Sequence, residues 1–546
     1  MKTACRGADS LVRVLAKAGV RHIFTLSGNH IMPIFDACLD ADIELFHTRH
    51  EAAAVHMADA YSRLTGRLGV ALVTGGPGHA NAVSALYTAQ MAESSVLLLS
   101  GHAPNSQLGM GAFQEMRQAD MTAPLVKLAA TAQHPDALAD DLAQAIRVAR
   151  SGRPGPVHLS LPTDVLESAA RLPADIDDAS FNAIAQPLDV SRGRTLLASL
   201  LDARRPLILA GPSCSTRAGR ERTAKVAAVL GVPVIGMESP RGINDPSLGA
   251  FAEILARADR VMLLGKRLDF TLNFGKTPAF EEHCTFLQID AEPEELARTR
   301  RAVGERLIGT AVADAFSALD AFVSSGIARS VADSGWTQDV ESAVSYRPES
   351  WASASSSIEG RMHPVQALAP FQSLLDSHPN SVLISDGGEI GQWAQACLRA
   401  PNRVINGVAG AIGAALPFAL AARVAYPDVP VVAVMGDGTF GFHAAEMDTA
   451  VRYRLPFVAV VGNDARWNAE YQIQLRNYGR ERLIGCELLP TRYDNVTVAF
   501  GGFGKLVTRA DEVPTAANEA HDSSLPACVN IMIEGVAAPT VKRTKP

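Results

Sequence analysis

The sequence predicts an α/β protein made of three doubly wound, parallel-sheet domains. At 546 residues the chain is too long for one ordinary hydrophobic core, so about two to four domains are expected. Short apolar runs that end in glycine alternate with helical patterns along most of the chain, which is typical of parallel sheets flanked by helices. Hydrophobic residues make up 47% of the chain and charged residues 20%, the balance of a folded globular protein.

Changes of composition mark the boundaries between the predicted domains. A Pro- and Asp-containing linker begins at Leu172, and a Ser-rich segment runs from Tyr346 to Ile358. The sequence therefore divides into an N-terminal domain at 1–170, a central domain at 188–330 and a C-terminal domain at 360–540.

Strand-like runs support each domain in turn. They are Leu68–Val73 and Val96–Ser100 in the first domain, PLILAG, DRVMLLG and FLQID in the second, and VVAVMG and FVAVVG in the third. In the first and third domains a glycine-rich turn, TGGPG or GDG, follows a strand. Open parallel sheets bind ligands at the carboxyl ends of their strands, so two ligand-facing edges are available for one cofactor.

Charge and cysteine content narrow the class of function. Lys plus Arg is 50 and Asp plus Glu is 57, and the net charge of -7 argues against binding to nucleic acid or to an anionic membrane. The seven cysteines are far apart and form no CxxC pair, so neither a disulfide framework nor a zinc cluster is expected, and a reducing cytoplasm fits. Small-molecule chemistry is the favoured function.

Two segments have features that targeting or membrane sequences share. The N-terminal stretch MKTACRGADSLVRVLAKAGV has charges spread through a helical pattern, so we do not interpret it as a signal peptide. The apolar run Val404–Ala422 contains several glycines and Pro417, which favours a buried loop and helix over a membrane span.

The motif with the clearest chemistry is Gly-Asp-Gly at 436–438. It follows a predicted strand, and Asn463-Asp464 follows the next strand. Glycine lets the backbone approach a diphosphate closely, while Asp437 and a second oxygen ligand 27 positions later are suited to hold a Mg2+ that bridges the phosphates. An isolated GDG is more often a simple acidic turn, but the partner at the end of the adjacent strand favours the metal site.

This segment resembles the thiamin-diphosphate enzyme family that includes acetolactate synthases, 2-hydroxyacyl-CoA lyases and benzaldehyde lyases, and the resemblance covers nearly the whole chain. The family pattern usually ends in Asn-Asn, whereas Asp464 stands at its second position. Mg2+ accepts a carboxylate oxygen as well as an amide oxygen. The resemblance implies that the main-chain carbonyl of Arg466 is the third protein ligand. It also implies diphosphate contacts from Gly436, Gly438 and Thr439.

The stretch HTRHEAAAVHMADAYSRLTGRLGVALVTGGPG resembles the family's pyrimidine-binding domain and places Glu51 at the position of the activating glutamate. A carboxyl group that hydrogen-bonds to the pyrimidine N1′ atom favours the imino tautomer, whose nitrogen removes the C2 proton of the thiazolium ring. Without the downstream TGGPG turn, such a glutamate would be interpreted as a helix cap or a surface residue. The resemblance also places Thr74, Gly76 and Pro77 along the cofactor.

The segment INGVAGAIGAALPFALAARVA resembles the part of these enzymes that holds the cofactor in its bent shape. Ile412 takes the position of the large apolar residue between the two rings, and the carbonyl of Gly410 would accept from the 4′-amino group. Otherwise Ile412 is an ordinary core isoleucine. SDGGEIGQWAQA lies where relatives have a diphosphate-contacting loop, so Gly388 and Glu389 are candidates, although a glutamate beside a diphosphate is electrostatically unfavourable.

The resemblance also suggests which residues line the substrate pocket. His30, Gln114 and Trp393 look most like the residues of benzaldehyde lyases. His30 is a candidate for proton transfer or carbonyl orientation, with Gln114 as a second catalytic candidate, although a histidine near a strand end is more often a satisfied structural group. The full set of substrate candidates is Asn29, His30, Phe113, Gln114, Trp393, Trp467 and Tyr471.

The central domain contains VMLLGKRLDFTLNFGKTPAF, which resembles the matching stretch of 2-hydroxyacyl-CoA lyases. Arg267 and Asp290 fall near positions that hold an adenine nucleotide in some relatives, but such domains can also be empty scaffolds. The flavin-associated pattern of acetolactate synthases is not visible, so FAD is not expected. WNAEYQIQL stands where those enzymes have their usual substrate-discriminating segment.

We therefore expect a thiamin-diphosphate- and Mg2+-dependent lyase or carboligase that acts on acyloins, 2-hydroxyacyl compounds or 2-oxo acids. The enzymatic alternative is the condensation of 2-oxo acids in the manner of acetolactate synthase. The alternative of another class is a non-catalytic homologue that binds thiamin diphosphate. The family places its site between the first domain of one subunit and the third domain of another, which implies at least a homodimer and favours a homotetramer.

Overall fold

The computed structural model describes residues 5–171, 177–327 and 334–543, with Ser334 described by its backbone alone. The chain divides into two compact units, Met1–Ala185 and Gln186–Pro546, and each is described by itself. The predicted class is confirmed, since the described residues form three parallel sheets flanked by helices. The residue boundaries of the three predicted domains remain predictions.

The first unit contains a six-stranded parallel sheet in its described part, with the strand order β2-β1-β3-β4-β6-β5. Its strands are β1 (His22–Thr25), β2 (Glu44–His47), β3 (Gly69–Val73), β4 (Val96–His102), β5 (Ala129–Thr131) and β6 (Val157–Pro162). Its helices are α1 (Gly7–Lys17), α2 (Met32–Cys38), α3 (Glu51–Thr65), α4 (Pro77–Met91), α5 (Gln118–Thr122), α6 (Leu138–Arg150) and α7 (Thr163–Glu167).

The second unit contains two sheets in its described part. The first of them has the order β11-β10-β9-β7-β8. Its strands are β7 (Pro206–Ala210), β8 (Val234–Gly236), β9 (Arg260–Leu264), β10 (Thr285–Asp290) and β11 (Leu307–Val312). The helices along this part of the chain are α8 (Val190–Leu201), α9 (Arg217–Leu230), α10 (Phe251–Leu255), α11 (Pro293–Val303), α12 (Ala315–Ser324) and α13 (Ser334–Ser345).

The last sheet repeats the strand order of the first unit, shifted along the chain, as β13-β12-β14-β15-β17-β16. Its strands are β12 (Val382–Ser385), β13 (Asn402–Ile405), β14 (Val431–Gly436), β15 (Val458–Asn463), β16 (Phe503–Val507) and β17 (Ala527–Met532). Its helices are α14 (Pro364–Leu368), α15 (Gln372–Asp376), α16 (Gly388–Cys397), α17 (Ala415–Ala425), α18 (Asp437–Phe440), α19 (Glu446–Arg452), α20 (Asn468–Tyr478), α21 (Tyr493–Ala499) and α22 (Val513–Asp522).

The predicted strands are present in the structure, where helices cover both faces of each sheet. Every residue of β3 and of β4 is buried, which explains why these strands read as continuous apolar runs and do not alternate. The predicted strand at 68–73 is β3, and the one at 96–100 is the first part of β4. The run Val404–Ala422 is confirmed as the end of β13, a loop and the start of α17.

The end of the described chain returns to the first sheet of the second unit. Val541 is 8% exposed and belongs to the hydrophobic core cluster that also contains Leu207, Phe251 and Phe286. Next to it, Arg543 donates from its backbone N and from Nε to the carboxylate of Glu253, at 2.7 and 3.1 Å. The C-terminal segment is therefore an integral part of this core.

Two further predictions concern cysteines and membranes. All seven cysteines are free thiols, as expected from their spacing. Across residues 5–171, 177–327 and 334–543, no helix combines the length and the apolar character that crossing a bilayer requires.

Candidate active site

Glu51 lies at the first position of α3 and is 9% exposed. The His50 side chain caps this helix by accepting from the backbone N of Ala52 at 3.1 Å, which fixes where the helix begins. Asn81, on the first turns of α4, donates from Nδ2 to Glu51 Oε2 at 3.1 Å. A Cβ atom added to Gly78 would lie 3.3 Å from Glu51 Oε1, so the backbone of α4 passes close to the other oxygen. The Glu51 carboxyl group is therefore held in one orientation.

Thr74 and His30 meet at the carboxyl end of β3. The Nδ1 atom of His30 lies 3.1 Å from Thr74 Oγ1, and the His30 ring stacks on Phe113 with 6.0 Å between the centroids. Burial, followed by the neighbouring charge of His102, lowers the pKa of His30. The imidazole is thus neutral near pH 7, which suits a group that accepts a proton or orients a carbonyl.

The turn after Thr74 depends on Gly76. This residue has φ +59°, and an added Cβ would lie 2.7 Å from the Cβ of Gln114. Its backbone N donates to Gln118 Oε1 at 2.9 Å, while Gln118 Nε2 donates to the carbonyl of Gly101 and to Ser160 Oγ. Gln114 also has a positive φ of 57°, which is costly for a residue with a side chain and is often found at functional sites.

The first unit thus brings its eight predicted site residues to one edge of its sheet. Pro77 is exposed at the start of α4, and Asn29 is exposed beside His30. Phe113 is 68% exposed despite its stack on His30, and its contact with the substrate remains a prediction. The residues concerned are Asn29, His30, Glu51, Thr74, Gly76, Pro77, Phe113 and Gln114.

In the second unit, Asp437 and Asp464 follow the adjacent strands β14 and β15 and are both buried. Burial raises the pKa of Asp437 to about 6. Burial, with the charge of Asp437 as the second cause, raises the pKa of Asp464 to about 7. The backbone N of Arg466 donates to Asp437 Oδ2 at 3.2 Å, so the predicted carbonyl ligand is in the same turn.

Asn463 does not share this environment. It is 0% exposed, donates from Nδ2 to the carbonyl of Thr491 and to Asn530 Oδ1, and accepts from the backbone N of Ala465. All of its side-chain contacts are internal. Asp464 departs from the family pattern, and it is the residue whose carboxylate interacts with the charge of Asp437.

The residues at this edge fit a divalent cation and a diphosphate. Asp437 and Asp464 are neighbouring buried carboxylates, and the charge of Asp437 helps to raise the pKa of Asp464, which is an electrostatic environment that a cation relieves. Among the described residues no three His, Cys, Asp or Glu side chains converge on one metal position, so such an ion would require a main-chain ligand such as the carbonyl of Arg466. A Cβ on Gly438 would lie 2.6 Å from the Trp467 ring, and Thr439 donates to the carbonyl of Gly436 at 3.0 Å. Together these contacts form a tight turn with room only for backbone.

The loop that contains Gly410 and Ile412 is held by Asp386, a residue that sequence reasoning missed. Its carboxylate accepts from the backbone N of Gly413 and of Ala415, each at 3.1 Å. Ile412 is partly buried and lies against Gly387, while Gly410 is exposed with φ +67°. Ile412 is therefore available for the predicted contact with the cofactor.

The predicted residues on α16 have different environments. Gly388 begins the helix with φ +78°, and a Cβ there would contact nothing within 4 Å. Glu389 is 9% exposed, forms an ion pair with Arg241 at 3.2 Å and accepts from the backbone N of Ala538 at 3.1 Å. Gly388 thus suits a diphosphate-contacting turn, whereas the contacts of Glu389 are those of a structural group.

Three aromatic substrate candidates are also in the second unit. Trp393 is 6% exposed, lies in the hydrophobic core cluster and donates from Nε1 to the carbonyl of Ala537, so its position favours a structural role over the predicted substrate contact. Trp467 is partly buried beside the metal motif. Tyr471 is 7% exposed, with the Arg466 guanidinium 4.3 Å above its ring. The roles of Trp467 and Tyr471 remain predictions.

Arg267 and Asp290, the nucleotide candidates, follow or end the paired strands β9 and β10. Arg267 donates from Nε to Glu295 Oε1 at 3.1 Å, and Asp290 is 1% exposed. Nucleotide binding in this sheet remains a prediction.

Asn81, Gln118 and Asp386 hold parts of the candidate site in place and were not predicted from the sequence. Asn81 is four positions after Pro77, one helical turn, and Asp386 directly follows β12. Both residues therefore lie next to features that the sequence predicted, so these positions were detectable from the sequence. Gln118 is remote in sequence from Gly76, so its contact required the tertiary structure.

Comparison with known proteins shows three matches to sequence models of domains. Residues 5–121 match "Thiamine pyrophosphate enzyme, N-terminal TPP binding domain", residues 194–319 match the central domain and residues 386–531 the C-terminal TPP binding domain of the same enzymes. The chain is 31% identical to a probable acetolactate synthase of Mycobacterium bovis, over 96% of this chain and 95% of the relative. It is 30% identical to 2-hydroxyacyl-CoA lyase 2 of Homo sapiens, over 96% of this chain and 90% of the relative. A 2-hydroxyacyl-CoA lyase of Oryza sativa is 29% identical, with 96% and 95% covered.

Proposed function

Because this chain belongs to the thiamin-diphosphate enzyme family, whose members make or break carbon-carbon bonds, we propose that it is a lyase or carboligase acting on acyloins, 2-hydroxyacyl compounds or 2-oxo acids. One observation carries the proposal: the buried Glu51 is fixed by Asn81 at the same sheet edge as His30 and Thr74. This edge combines one oriented acid with one neutral imidazole.

When bound, thiamin diphosphate supplies a carbanion and an electron sink next to the substrate carbonyl. In this proposal Glu51 shares a proton with the pyrimidine ring and thereby sets its tautomer. His30, in contact with Thr74 Oγ1, orients the substrate oxygen or moves a proton to or from it. Gln114, held in a strained backbone conformation over Gly76, donates to the substrate from its amide.

In the second unit, Asp437, Asp464 and the carbonyl of Arg466 would hold Mg2+. The turn around Gly436, Gly438 and Thr439 would receive the diphosphate. Support for this assignment comes from the raised pKa values of the two buried carboxylates, which indicate an environment suited to a cation.

A second candidate is the condensation of 2-oxo acids. It is supported by the 31% identity to the probable acetolactate synthase of Mycobacterium bovis. The segment WNAEYQIQL after the metal motif favours the lyase or carboligase activity, since the resemblance associates a different segment with acetolactate synthesis.

The test is to load the full chain with thiamin diphosphate and Mg2+ and to add, separately, 2-oxo acids, acyloins and 2-hydroxyacyl thioesters. Acid quenching followed by mass spectrometry then measures covalent adducts of the cofactor. We expect an adduct from at least one 2-oxo acid or acyloin. Adducts from none of the three classes would contradict the proposal, and adducts from 2-oxo acids alone with release of a condensed product would favour the second candidate.

We also propose that the active assembly is at least a homodimer, and we favour a homotetramer. The predicted pyrimidine-side and diphosphate-side residues belong to separate units of the chain, and the family resemblance assigns the two halves of a site to different subunits. A cytoplasmic location is proposed from the seven free thiols, which suit a reducing compartment.

A further inference from the structure

The second unit contains a cavity of about 930 Å3 that includes none of the predicted cofactor or substrate residues. It lies between α9, α13 and the carboxyl half of α16. Its apolar wall comes from the residues Ala224, Ala227, Val340, Val344, Leu383 and Leu398. This volume is within the range of about 300–1,000 Å3 that is usual for small-molecule sites.

The charged lining of this cavity is predominantly positive. Four arginines line it against two glutamates, Glu238 and Glu341. Arg403 and Glu238 neutralise each other through an ion pair at 2.7 Å. The remaining charges are three guanidinium groups against one carboxylate, which favours an anionic ligand.

The three other guanidinium groups differ in how many of their N–H donors are already used in hydrogen bonds within the protein. Arg347 uses four donors on the carbonyls of Ala396, Val344, Tyr346 and Ser247, so it is a structural group. Arg220 donates only to the carbonyls of Ser215 and Pro401. The exposed Arg399 side chain has no hydrogen-bond partner among the described residues. Arg220 and Arg399 therefore retain N–H groups for a ligand.

A buried acceptor in the lining requires a donor. Gln395 is 3% exposed and donates from Nε2 to Ser385 Oγ at 3.3 Å, but its Oε1 has no hydrogen-bond partner among the described residues. A buried carbonyl oxygen without a partner is costly. A ligand N–H or O–H at this position would satisfy it.

From these three features we propose that the cavity binds an anionic amphiphile: a carboxylate with an apolar chain and an N–H or O–H donor beside the charge. The chain would lie along α9 and α13, the carboxylate would accept from Arg220 and Arg399, and the donor would reach Gln395 Oε1. This ligand site is separate from the proposed catalytic site, so its occupancy is measured without reference to turnover.

The test uses calorimetry on the full chain loaded with thiamin diphosphate and Mg2+, with N-octanoylglycine as the probe. This compound has an acyl chain, an amide N–H and a carboxylate, and it lacks the 2-oxo or 2-hydroxy group of the proposed substrates. We expect one molecule to bind per chain. Arg399→Gln removes an exposed charge, and Ala224→Phe fills the cavity from an exposed position on α9; each should weaken binding by about tenfold or more.

Matched controls separate the cavity from other anion binding. Arg194→Gln removes an exposed arginine on α8, outside the cavity, and should leave the affinity unchanged. N-octanoylglycinamide lacks the charge and N-octanoylsarcosine lacks the N–H, so both should bind at least about tenfold more weakly. No measurable heat, equal affinities in the cavity variants and the Arg194→Gln control, or equal binding of the uncharged amide would each overturn the proposal.

Discussion

Asn81 donates a hydrogen bond to Glu51 across the interface between α4 and α3, with 3.1 Å between Nδ2 and Oε2. The contact fixes one carboxyl oxygen, while Gly78 leaves little space beside the other. The orientation of the proposed activating acid is thus set by the helix that follows the glycine turn.

Glu51→Gln should slow deuterium exchange at C2 of bound thiamin diphosphate by at least about 100-fold. The reason is that an amide cannot replace a carboxyl group that shares its proton with the pyrimidine N1′ atom. Exchange is measured by acid quenching and NMR of the loaded protein. Asn81→Ala should cause a smaller decrease, since it frees the acid without removing it. Exchange that is as fast in Glu51→Gln as in the wild type would contradict the assigned role.

Asp437→Ala should weaken the Mg2+-dependent uptake of thiamin diphosphate by roughly 10- to 100-fold, because it removes a charged ligand from a buried site. Calorimetry in saturating Mg2+ measures the affinity. Asp464→Asn is the matched control: it keeps an oxygen ligand and restores the residue typical of the family, so its affinity should stay within about tenfold of wild type. If both variants bound as tightly as wild type, the metal assignment would be wrong.

Asp386 should make the stability of the second unit depend on pH. Burial raises the pKa of this carboxyl to about 6, against lowering contributions from the backbone N–H groups of Gly387, Ala415 and Gly413. The folded state therefore holds the proton more tightly than the unfolded state does, and stability falls as pH rises from about 4 to about 6. Above that window its contribution is constant.

The Asp386→Asn variant isolates this effect, because an amide does not titrate. The free energy of unfolding of the variant, compared with that of wild type, should increase by about 1 kcal/mol or more from pH 5 to pH 7.5. Thermal unfolding midpoints of both proteins at the two pH values provide the comparison. A constant difference between them would show that Asp386 does not titrate in this range.

Gly76→Ala should lower both stability and adduct formation. Its φ of +59° strains any side chain, and the new Cβ would also collide with Gln114 at 2.7 Å. Gly304→Ala is the control, because Gly304 has nearly the same backbone conformation, φ 55° and ψ -128°, with nothing within 4 Å of an added Cβ. Each change should cost about 1–3 kcal/mol in strain. Only Gly76→Ala should reduce cofactor adducts; an equal effect of both variants would assign the loss to backbone strain alone.

Sequence patterns located the sheets and the two ligand-facing edges because parallel strands are buried on both faces and end in glycine turns. Asp437 was found for the same reason, since it lies in such a turn, whereas Glu51 was found from the resemblance to the family's pyrimidine-binding domain. Asp386 and Asn81 were missed although they lie close to these turns, because their partners are backbone N–H groups of a distant loop and a side chain on another helix. Trp393 matched a pocket residue of the family in sequence, and its substrate contact remains a prediction because the residue packs in the core against Trp351 and His363.

The position of Val541 in the core of the middle sheet has a consequence for synthesis of the protein. The other members of that cluster lie between Leu207 and Ala343, so almost two hundred residues separate the last of them from Val541. A nascent chain that has already emerged through α13 still lacks one member of the cluster and the Arg543 partner of Glu253. This part of the molecule can therefore complete its packing only after residue 541 has been synthesised.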